Sequence, residues 1–246
     1  MRTKCEIPKI NSMHLWRCDL TLHDYFFFAT AKRGYITETG QFIHNYSLTY
    51  ALGWARSEWH TETQEPQYAK QLSKIRGIYV TPANLLSGNY IPMSYRAEAE
   101  SYALLNIPNI SDSYREDHGI IKCFGPGSVF RFYILARFHL DKTPPLVRLG
   151  RFMAKAEVVK QYPTELEIAE GDCIASLLLN WDDMAVKPSL WNAIIYALPG
   201  RLIENAMFDQ TRYLEAKFAD GEEIKLPLEI GYFQKELCSS WWGDST

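Results

Sequence analysis

The chain has 246 residues, of which 47% are apolar and 22% are charged, and its formal net charge at pH 7 is -3. These values lie near globular averages, so they argue against a disordered or fibrous chain. No apolar run is long enough to span a membrane and no signal-peptide pattern is present, so we expect a cytoplasmic protein. The five scattered cysteines contain no CxxC pair, which argues against a disulfide framework or a thiolate zinc site.

Charge is unevenly distributed along the chain. Residues 122–160 carry eight Lys or Arg and two Asp or Glu, whereas residues 161–246 carry six and fifteen. This segregation predicts that one surface meets an anion while another meets a different partner. The alternative is that folding brings the two blocks together and cancels their charges.

Two elements are predicted near the start of the chain. Residues 14–22 alternate between apolar and polar side chains, which is typical of a half-buried strand. From Asn45 onward the apolar residues, including Leu48 and Leu52, recur with a helical period beside a stripe of aromatic residues. This pattern predicts a buried helix whose aromatic residues serve packing.

Two polar segments are predicted to be loops. Residues 57–76 are polar and contain proline, which indicates an exposed insertion, and residues 106–118 form a second polar segment. The apolar residues 78–80 after the first insertion are predicted to form a short strand.

A hairpin is predicted in the middle of the chain, with 119–124 and 128–140 as its arms and the GPG sequence at 125–127 as its turn. In the second arm Phe130 and Phe132 share the core face, which leaves a cationic and aromatic face opposite. This face is either a solvated surface with arginines or an RNA-binding sheet of the RRM type, although the RNP1 pattern is absent. Its residues are Arg131, Tyr133, Leu135, Arg137 and His139.

In the last third of the chain the residue pattern predicts a strand, a helix and a hairpin. Residues 173–180 form an apolar run typical of a buried strand, and 213–228 predict a hairpin around the Asp220-Gly221 turn. Together these elements predict an α+β fold, an antiparallel sheet with helices on one face. The helix is predicted from the spacing of Leu190, Ala193, Ile194, Ala197 and Leu198.

Three cations surround one glycine within the basic block: Arg148, Arg151 and Lys155 beside Gly150. Glycine permits either a bend with positive φ or the close approach of a phosphate, and arginine presents paired donors to phosphate oxygens. If 148–155 is helical, the cations share one face. The alternative is a turn with ordinary surface cations. The sequence has neither a Walker A loop nor a Rossmann fingerprint, and we predict no cofactor and no metal site.

Five blocks of the sequence, in their order and spacing, resemble the Cas-five-like subunit of type I-D CRISPR effector complexes. They are RCDLTLHDYFFFAT (17–30), FIHNYSLTYALG (42–53), VRLGRFMAKAEV (147–158), LLLNWDD (177–183) and LPLEIGYF (226–233). The resemblance implies a RAMP-superfamily fold with a ferredoxin-like or RRM-like core and long hairpin or loop insertions. On this basis we predict one elaborated domain over 1–246, with a core at about 14–160 and a C-terminal extension at about 161–246.

The resemblance also implies a function. Such subunits bind the 5′ handle of the guide RNA and cap the backbone filament, so the expected partners are guide RNA, the repeated backbone subunit, the large subunit and target DNA near its flanking motif. The predicted RNA contacts are Arg148, Gly150, Arg151 and Lys155, then Arg131, Tyr133 and Arg137 from the strand face, and His44, Asn45 and Tyr46 from the start of the predicted helix.

We predict that the chain is not an enzyme, and two enzymatic alternatives are open. Some relatives resemble endoribonucleases that process precursor guide RNA, and metal-independent cleavage needs an acid and a base such as His23, His44 or Tyr46. A small-molecule enzyme with an aromatic pocket is the third hypothesis. Nothing in the sequence specifically requires it.

Overall fold

The structure is a computed structural model that describes residues 13–57, 66–96, 118–140, 143–196 and 199–233. These ranges contain sixteen β-strands, two short α-helices and one 3-10 turn at Trp181–Asp183. In chain order the elements are β1 (His14–Leu22), β2 (Ala31–Arg33), β3 (Ile36–Glu38), β4 (Phe42–Ile43), α1 (Asn45–Ala51), α2 (Tyr68–Leu72), β5 (Ile78–Val80), β6 (Ala83–Ser87), β7 (Tyr90–Arg96), β8 (His118–Phe124), β9 (Val129–Ala136), β10 (Leu146–Leu149), β11 (Ala154–Gln161), β12 (Glu165–Ala175), β13 (Leu179–Asn180), β14 (Leu190–Ala193), β15 (Leu202–Lys217) and β16 (Glu223–Pro227).

Seven strands form the first sheet, and every neighbouring pair in it is antiparallel. Their order is β10, β11, β1, β9, β6 and β4, and β5 pairs with the second half of β9. The strands predicted at 14–22 and 78–80 are confirmed as β1 and β5. Because β1 pairs with β9 on one side and β11 on the other, it lies at the centre of the sheet.

One face of the first sheet packs against α1. Trp16 and Leu20 of β1 are buried on this face. They share an apolar cluster with Leu48 of the helix and with Leu52, which follows it. The helix predicted from Asn45 is therefore confirmed, and its seven residues make two turns.

The second sheet covers the opposite face of the first. It is built around the 16-residue strand β15, with which β12, β13, β14 and β16 all pair antiparallel. Leu15 and Leu135 of the first sheet lie in one apolar cluster with Phe208 and Leu214 of β15. The central strands β1 and β9 of the first sheet are consequently covered on both faces.

The second face of β9, which the sequence predicted to be exposed, is covered by the second sheet. Tyr133 and Leu135 are only 5% and 0% exposed, and Arg131 is half-buried, because the second sheet lies over them. The predicted alternation of the strand is present, but its second face meets neither solvent nor RNA over Tyr133 and Leu135 and packs inside the protein. A strand buried on both faces can carry polar residues only if they have partners inside the protein.

The predicted hairpin at 119–140 is wrong in its pairing. Its arms are present as β8 and β9, and Gly127 in the turn has the positive φ, +83°, that the glycine predicts. However, β8 pairs with β3 and β7 in a third, four-stranded sheet, whereas β9 belongs to the first sheet. Both edges of β9 are occupied by β1 and by β5 and β6, so no edge is free for β8.

The hairpin predicted at 213–228 is confirmed by β15 and β16. Leu214 lies opposite Leu226, and Ala216 lies opposite Ile224. Gly221 in the turn has φ +86°, a conformation that side chains with a Cβ rarely adopt. The apolar face of this hairpin is part of the shared core.

Two other predictions in the C-terminal third need correction. The helix predicted from Leu190 onward is a strand, β14, at its start, and residues 197 and 198 lie outside the described residues. Leu190 is largely exposed, so its spacing did not mark a buried face. The strand predicted at 173–180 is split, because β12 ends at Ala175 and β13 begins at Leu179.

The fold is α+β with antiparallel sheet predominating. Among the described residues only α1 and α2 are α-helical, and α1 covers one face of the first sheet. Helix α2, which begins at Tyr68, lies inside the insertion predicted at 57–76. Residues 58–65 of that insertion lie outside the described residues. Most of the loop predicted at 106–118 also lies outside them.

Candidate nucleic-acid interface

The predicted cations of the basic block lie on a hairpin formed by β10 and β11. Arg148 is directly opposite Lys155 in the antiparallel register, and opposite residues in such a pair project to the same face. Both side chains are exposed, while Leu149 and Ala154 next to them are buried. The helical arrangement considered for 148–155 is therefore wrong, yet the strand register brings the two cations together. We call residues 146–161 the cationic hairpin.

The turn of the cationic hairpin depends on Gly150. Its φ is +70°, and a Cβ at this position would lie 2.7 Å from the carbonyl oxygen of Phe27 and 2.9 Å from the ring of Phe26. The N–H of Arg151 donates a 2.9 Å hydrogen bond to the same Phe27 oxygen. Thus the close backbone approach that Gly150 permits is to the chain's own 26–27 segment.

The tip of the cationic hairpin combines charge with exposed apolar surface. Arg151, Phe152 and Met153 are all exposed there, and the ring of Phe152 lies 5.4 Å from that of Phe27. The Nη1 atom of Arg148 donates to the Met153 carbonyl oxygen at 3.3 Å, which holds the guanidinium over the turn. The tip can therefore offer guanidinium donors and an aromatic ring to the same ligand.

One carboxylate lies beside these cations. The Nζ atom of Lys155 is 4.0 Å from Oδ2 of Asp24, and the backbone N–H of Lys155 donates to the same oxygen at 3.2 Å. Both side chains are about half exposed. An exposed pair at this distance is weak and is screened by salt, so it leaves Lys155 able to meet a phosphate.

Arg131 and Tyr133, which the sequence offered as RNA contacts, bind carboxylates of the protein itself. Arg131 donates to both oxygens of Asp19, at 2.7 and 2.9 Å, and to Glu222 at 3.2 Å. The hydroxyl of Tyr133 donates to the other oxygen of Glu222 at 2.9 Å. Hydrogen bonding to Asp19 raises the pKa of Arg131, and burial raises the pKa of Tyr133.

Arg17 of β1 completes this arrangement, and no pattern in the sequence singles it out. Its side chain is only 4% exposed, donates to Asp220 and Glu222, and lies 4.5 Å from the centre of the Phe218 ring. The hydrogen bond from Arg17 lowers the pKa of Asp220 to about 2. We call the residues Arg17, Asp19, Arg131, Asp220 and Glu222 the inter-sheet ion cluster.

The inter-sheet ion cluster connects the first sheet to the turn of the β15–β16 hairpin. It pairs Arg17 and Arg131 of the first sheet with acidic residues of the C-terminal block, and Arg131 also with Asp19 of β1. Folding therefore cancels part of the charge segregation seen in the sequence. The cations that remain exposed near the first sheet's edge are those of the cationic hairpin. Arg137 is half-buried beyond the end of β9, and its side chain runs past Gly77.

His44, Asn45 and Tyr46 are 2%, 0% and 1% exposed, respectively. The Asn45 side-chain amide donates to Oδ2 of Asp183 at 2.7 Å, and the Tyr46 hydroxyl donates to Oδ1 at 3.2 Å. Burial lowers the pKa of His44 to about 4, so the ring is uncharged near neutral pH. These side chains present no surface to a phosphate, and we do not retain them in the candidate interface.

Asp183 is the centre of this buried network. It is 0% exposed and also accepts hydrogen bonds from the hydroxyl of Tyr79, at 3.2 Å, and from the N–H of Phe233, at 3.1 Å. Burial raises the pKa of Asp183 to about 7. The network joins residues of 42–53, 177–183 and 226–233, which are three of the five blocks on which the resemblance rests.

The other two blocks meet at the contact between Gly150 and Phe27. Beside it, the backbone N–H of His23 donates to the Lys155 carbonyl oxygen at 2.8 Å. The ring of His23 is about half exposed, with Nε2 3.6 Å from Oε2 of Glu157. A half-exposed imidazole thus lies at the base of the cationic hairpin.

No three His, Cys, Asp or Glu side chains described by the structure come together so that they could hold a metal ion. None of the described helices has the length and apolar character needed to cross a membrane.

Comparison with known proteins bears on the family of the chain. A search of curated proteins finds no match. A family model described as type I-D CRISPR-associated protein Cas5/Csc1 matches residues 13–235, which is most of the chain. Its span includes both large sheets, the cationic hairpin and the Asp183 network. The chain therefore belongs to the type I-D CRISPR-associated Cas5/Csc1 family.

Proposed function

We propose that this chain is a non-catalytic RNA-binding subunit of a type I-D CRISPR effector complex and that it holds the 5′ handle of the guide RNA with the cationic hairpin. The observation that supports this proposal most directly is the register of β10 and β11. It places the exposed side chains of Arg148 and Lys155 on one face, with Arg151 exposed at the turn.

The hairpin has the chemistry that a single-stranded RNA end requires. The two guanidinium groups can each donate two hydrogen bonds to a phosphate, and Lys155 adds a mobile charge. The exposed ring of Phe152 can stack on an unpaired base. Gly150 and its contact with Phe27 hold the turn in place, so the cations project from a fixed backbone.

Membership of the family supports the partners in this proposal. They are the guide RNA, the repeated backbone subunit, the large subunit and target DNA near its flanking motif. In the same proposal the core is related to the ferredoxin-like fold. The support for that relation is the central antiparallel pair β1 and β9, with α1 packed on one face. Within the complex the subunit caps the backbone filament and helps to position target DNA.

The salt dependence of RNA binding tests the interface. Each phosphate neutralised on a single strand contributes about 0.7 to the logarithmic salt slope. Replacing Arg148, Arg151 and Lys155 by Gln should therefore lower the slope by about 2 if each cation meets one phosphate. The matched control replaces three exposed cations of the α1–β5 connection, Arg56, Lys70 and Lys74, by Gln and should retain the slope. An unchanged slope in the hairpin variant contradicts the proposed site.

The alternative function is a RAMP-type endoribonuclease that processes precursor guide RNA. The observation in its favour is the half-exposed His23 ring, which lies near Glu157 at the base of the cationic hairpin. His44 and Tyr46 are buried, so they do not reach a substrate. Incubation of the isolated chain with precursor RNA separates the two functions. Cleavage that is abolished in His23→Ala would establish the alternative, whereas uncleaved RNA that copurifies with the chain supports binding alone.

A further inference from the structure

An open cleft of about 500 Å³ lies on the second sheet, away from the cationic hairpin. It is formed where the 3-10 turn Trp181–Asp183, the end of β14 and the start of β15 meet. Half of its eight lining residues are charged or aromatic. The aromatic residues are Trp181 and Tyr196, and the charged residues are Asp182 and Arg201.

The indole of Trp181 is surrounded by cations and a second indole. The rings of Trp181 and Trp191 are 4.8 Å apart, and the guanidinium of Arg201 lies 5.9 Å from the Trp181 ring. On the same indole, Lys187 places its Nζ 4.8 Å from the ring centre, while donating to the carbonyl oxygens of Trp181 and Met184. These contacts hold the Trp181 ring at the cleft.

The rest of the cleft supplies apolar surface and an acceptor. Ile195 is 90% exposed and Tyr196 is partly exposed, so the rim presents bare aliphatic and aromatic groups. Gly200 leaves room beside Asp182, because a Cβ at Gly200 would lie 3.1 Å from Oδ2 of that carboxylate. A carboxylate in this position can accept hydrogen bonds from the amino group of a base.

We propose that this cleft binds an unstacked nucleobase and that it forms a second nucleic-acid contact of the chain. The exposed ring of Tyr196 offers stacking surface beside Trp181, Arg201 offers charge to the adjoining phosphate, and Asp182 accepts from an amino-bearing base edge. An apolar peptide segment from a protein partner would leave Asp182 and Arg201 unused. The inference rests on the proposed function in one respect, which is that the chain binds nucleic acid.

The cleft is too far from the cationic hairpin for one nucleotide to contact both. Tyr196 packs on Phe42 of β4, with 5.2 Å between the rings, and β4 ends the first sheet at the edge opposite β10. Five strand spacings of about 4.8 Å separate these edges, or about 24 Å. The two sites therefore contact different nucleotides, and each can be tested without the other.

Photocrosslinking of the full chain to a short single-stranded RNA that contains 4-thiouridine tests this inference. Crosslinks mapped by mass spectrometry should fall near Trp181 and Tyr196 as well as on the cationic hairpin. Crosslinks on the hairpin alone would overturn the cleft site and leave the proposed function standing. Crosslinks at the cleft alone would support the cleft and contradict the proposed handle site.

Matched variants give an independent measure by equilibrium binding of the same RNA. Tyr196→Leu keeps apolar contact with Phe42 but removes the stacking ring, and Tyr196→Phe keeps the ring. We expect about 5- to 150-fold weaker binding for Tyr196→Leu, the range measured for loss of one stacked base, and wild-type binding for Tyr196→Phe. Arg201→Ala, at an exposed position, should also weaken binding. Equal affinity of Tyr196→Leu and wild type would overturn the inference.

A second ligand distinguishes whether the base belongs to a free nucleotide or to an RNA strand. Titration with adenosine 5′-monophosphate should show binding that Tyr196→Leu abolishes if a free nucleotide fills the cleft, whereas binding of RNA alone indicates a base within a strand. Either result supports nucleobase recognition. Loss of a protein subunit from the assembled complex in Tyr196→Leu, with RNA affinity unchanged, would instead identify a protein-docking surface and overturn the inference.

Discussion

The side-chain amide of Asn45 donates a 2.7 Å hydrogen bond to the buried carboxylate of Asp183, although 138 residues separate the two along the chain. Through this bond the first turn of α1 is attached to the C-terminal part of the molecule. Asn180 extends the attachment by donating to the Asn45 side-chain oxygen at 3.1 Å. We therefore attribute a structural role to these polar residues, and their variants should change stability.

Replacement of Asp183 by Ala should lower the free energy of unfolding by about 2–5 kcal/mol, because several buried donors lose their acceptor. Urea unfolding followed by circular dichroism measures this change. The control is Asp182→Ala at the exposed neighbouring position, for which a change within about 0.5 kcal/mol is expected. Similar losses in both variants would show that the Asp183 network does not carry the effect.

The stability of the protein should depend on the protonation of Asp183. Burial raises its pKa to about 7 from the ordinary value of 3.8, so between these pH values the folded state retains a proton that the unfolded state loses. Its contribution is therefore fully present below about pH 4 and is lost as the pH rises through about 7. The slope from this group is at most about 1.4 kcal/mol per pH unit.

Urea unfolding at a series of pH values measures this slope, and Asp183→Asn should remove it. The contribution of Asp220 to stability changes with pH in the opposite direction, and it does so at lower pH. Arg17 lowers the pKa of Asp220 to about 2, so its contribution is present above about pH 4 and is lost as the pH falls toward 2. If the unfolding free energy of Asp183→Asn still changes with pH between 4 and 7, groups other than Asp183 cause that slope.

Arg131→Gln should destabilise the fold without changing the salt slope of RNA binding. The substitution removes the bidentate contact with Asp19, and loss of a half-buried ion pair of this kind costs about 1–3 kcal/mol. Unfolding and salt-dependent binding are measured on the same variant. Arg148→Gln is the matched comparison, with the opposite expectation of unchanged stability and a lower slope. A lower slope for Arg131→Gln would place Arg131 on the RNA.

Gly150→Ala should cost more stability than Gly127→Ala. Both glycines have positive φ, +70° and +83°, so each substitution carries the conformational cost of about 1–2 kcal/mol. Only at Gly150 would the new Cβ meet other atoms, 2.7 Å from the Phe27 oxygen, whereas nothing lies within 4 Å at Gly127. Thermal or urea unfolding of the two variants gives the difference. Equal losses would mean that the 26–27 segment moves aside.

Much of the local structure could be predicted from residue patterns. The alternation of 14–22, the helical period after Asn45 and the Asp-Gly turn at 220–221 each act over a few residues, and all three elements are present. The strand pairing of 119–124 could not be predicted in this way. A turn sequence specifies that the chain reverses, but the occupancy of both edges of β9 decides which strands pair.

For the candidate site, the sequence identified cationic side chains as RNA contacts, but it did not show which groups surround each of them. The basic block contains both Arg131 and Arg148, and the sequence around them does not reveal which of the two meets a carboxylate of the protein. The structure separates them, because Glu222 binds Arg131 from a hairpin 91 residues away, while Arg148 remains exposed at a sheet edge.

By itself the sequence determined the family, several strands such as β1, β5 and β16, and the location of the basic block, since these depend on residue order and short periodicities. Only the tertiary structure decided which cations are available to a ligand. Exposure depends on which carboxylates and apolar faces arrive from distant parts of the chain. Here the second sheet covers one face of the first and neutralises Arg17 and Arg131, and the hairpin at the sheet edge keeps its charges in solvent.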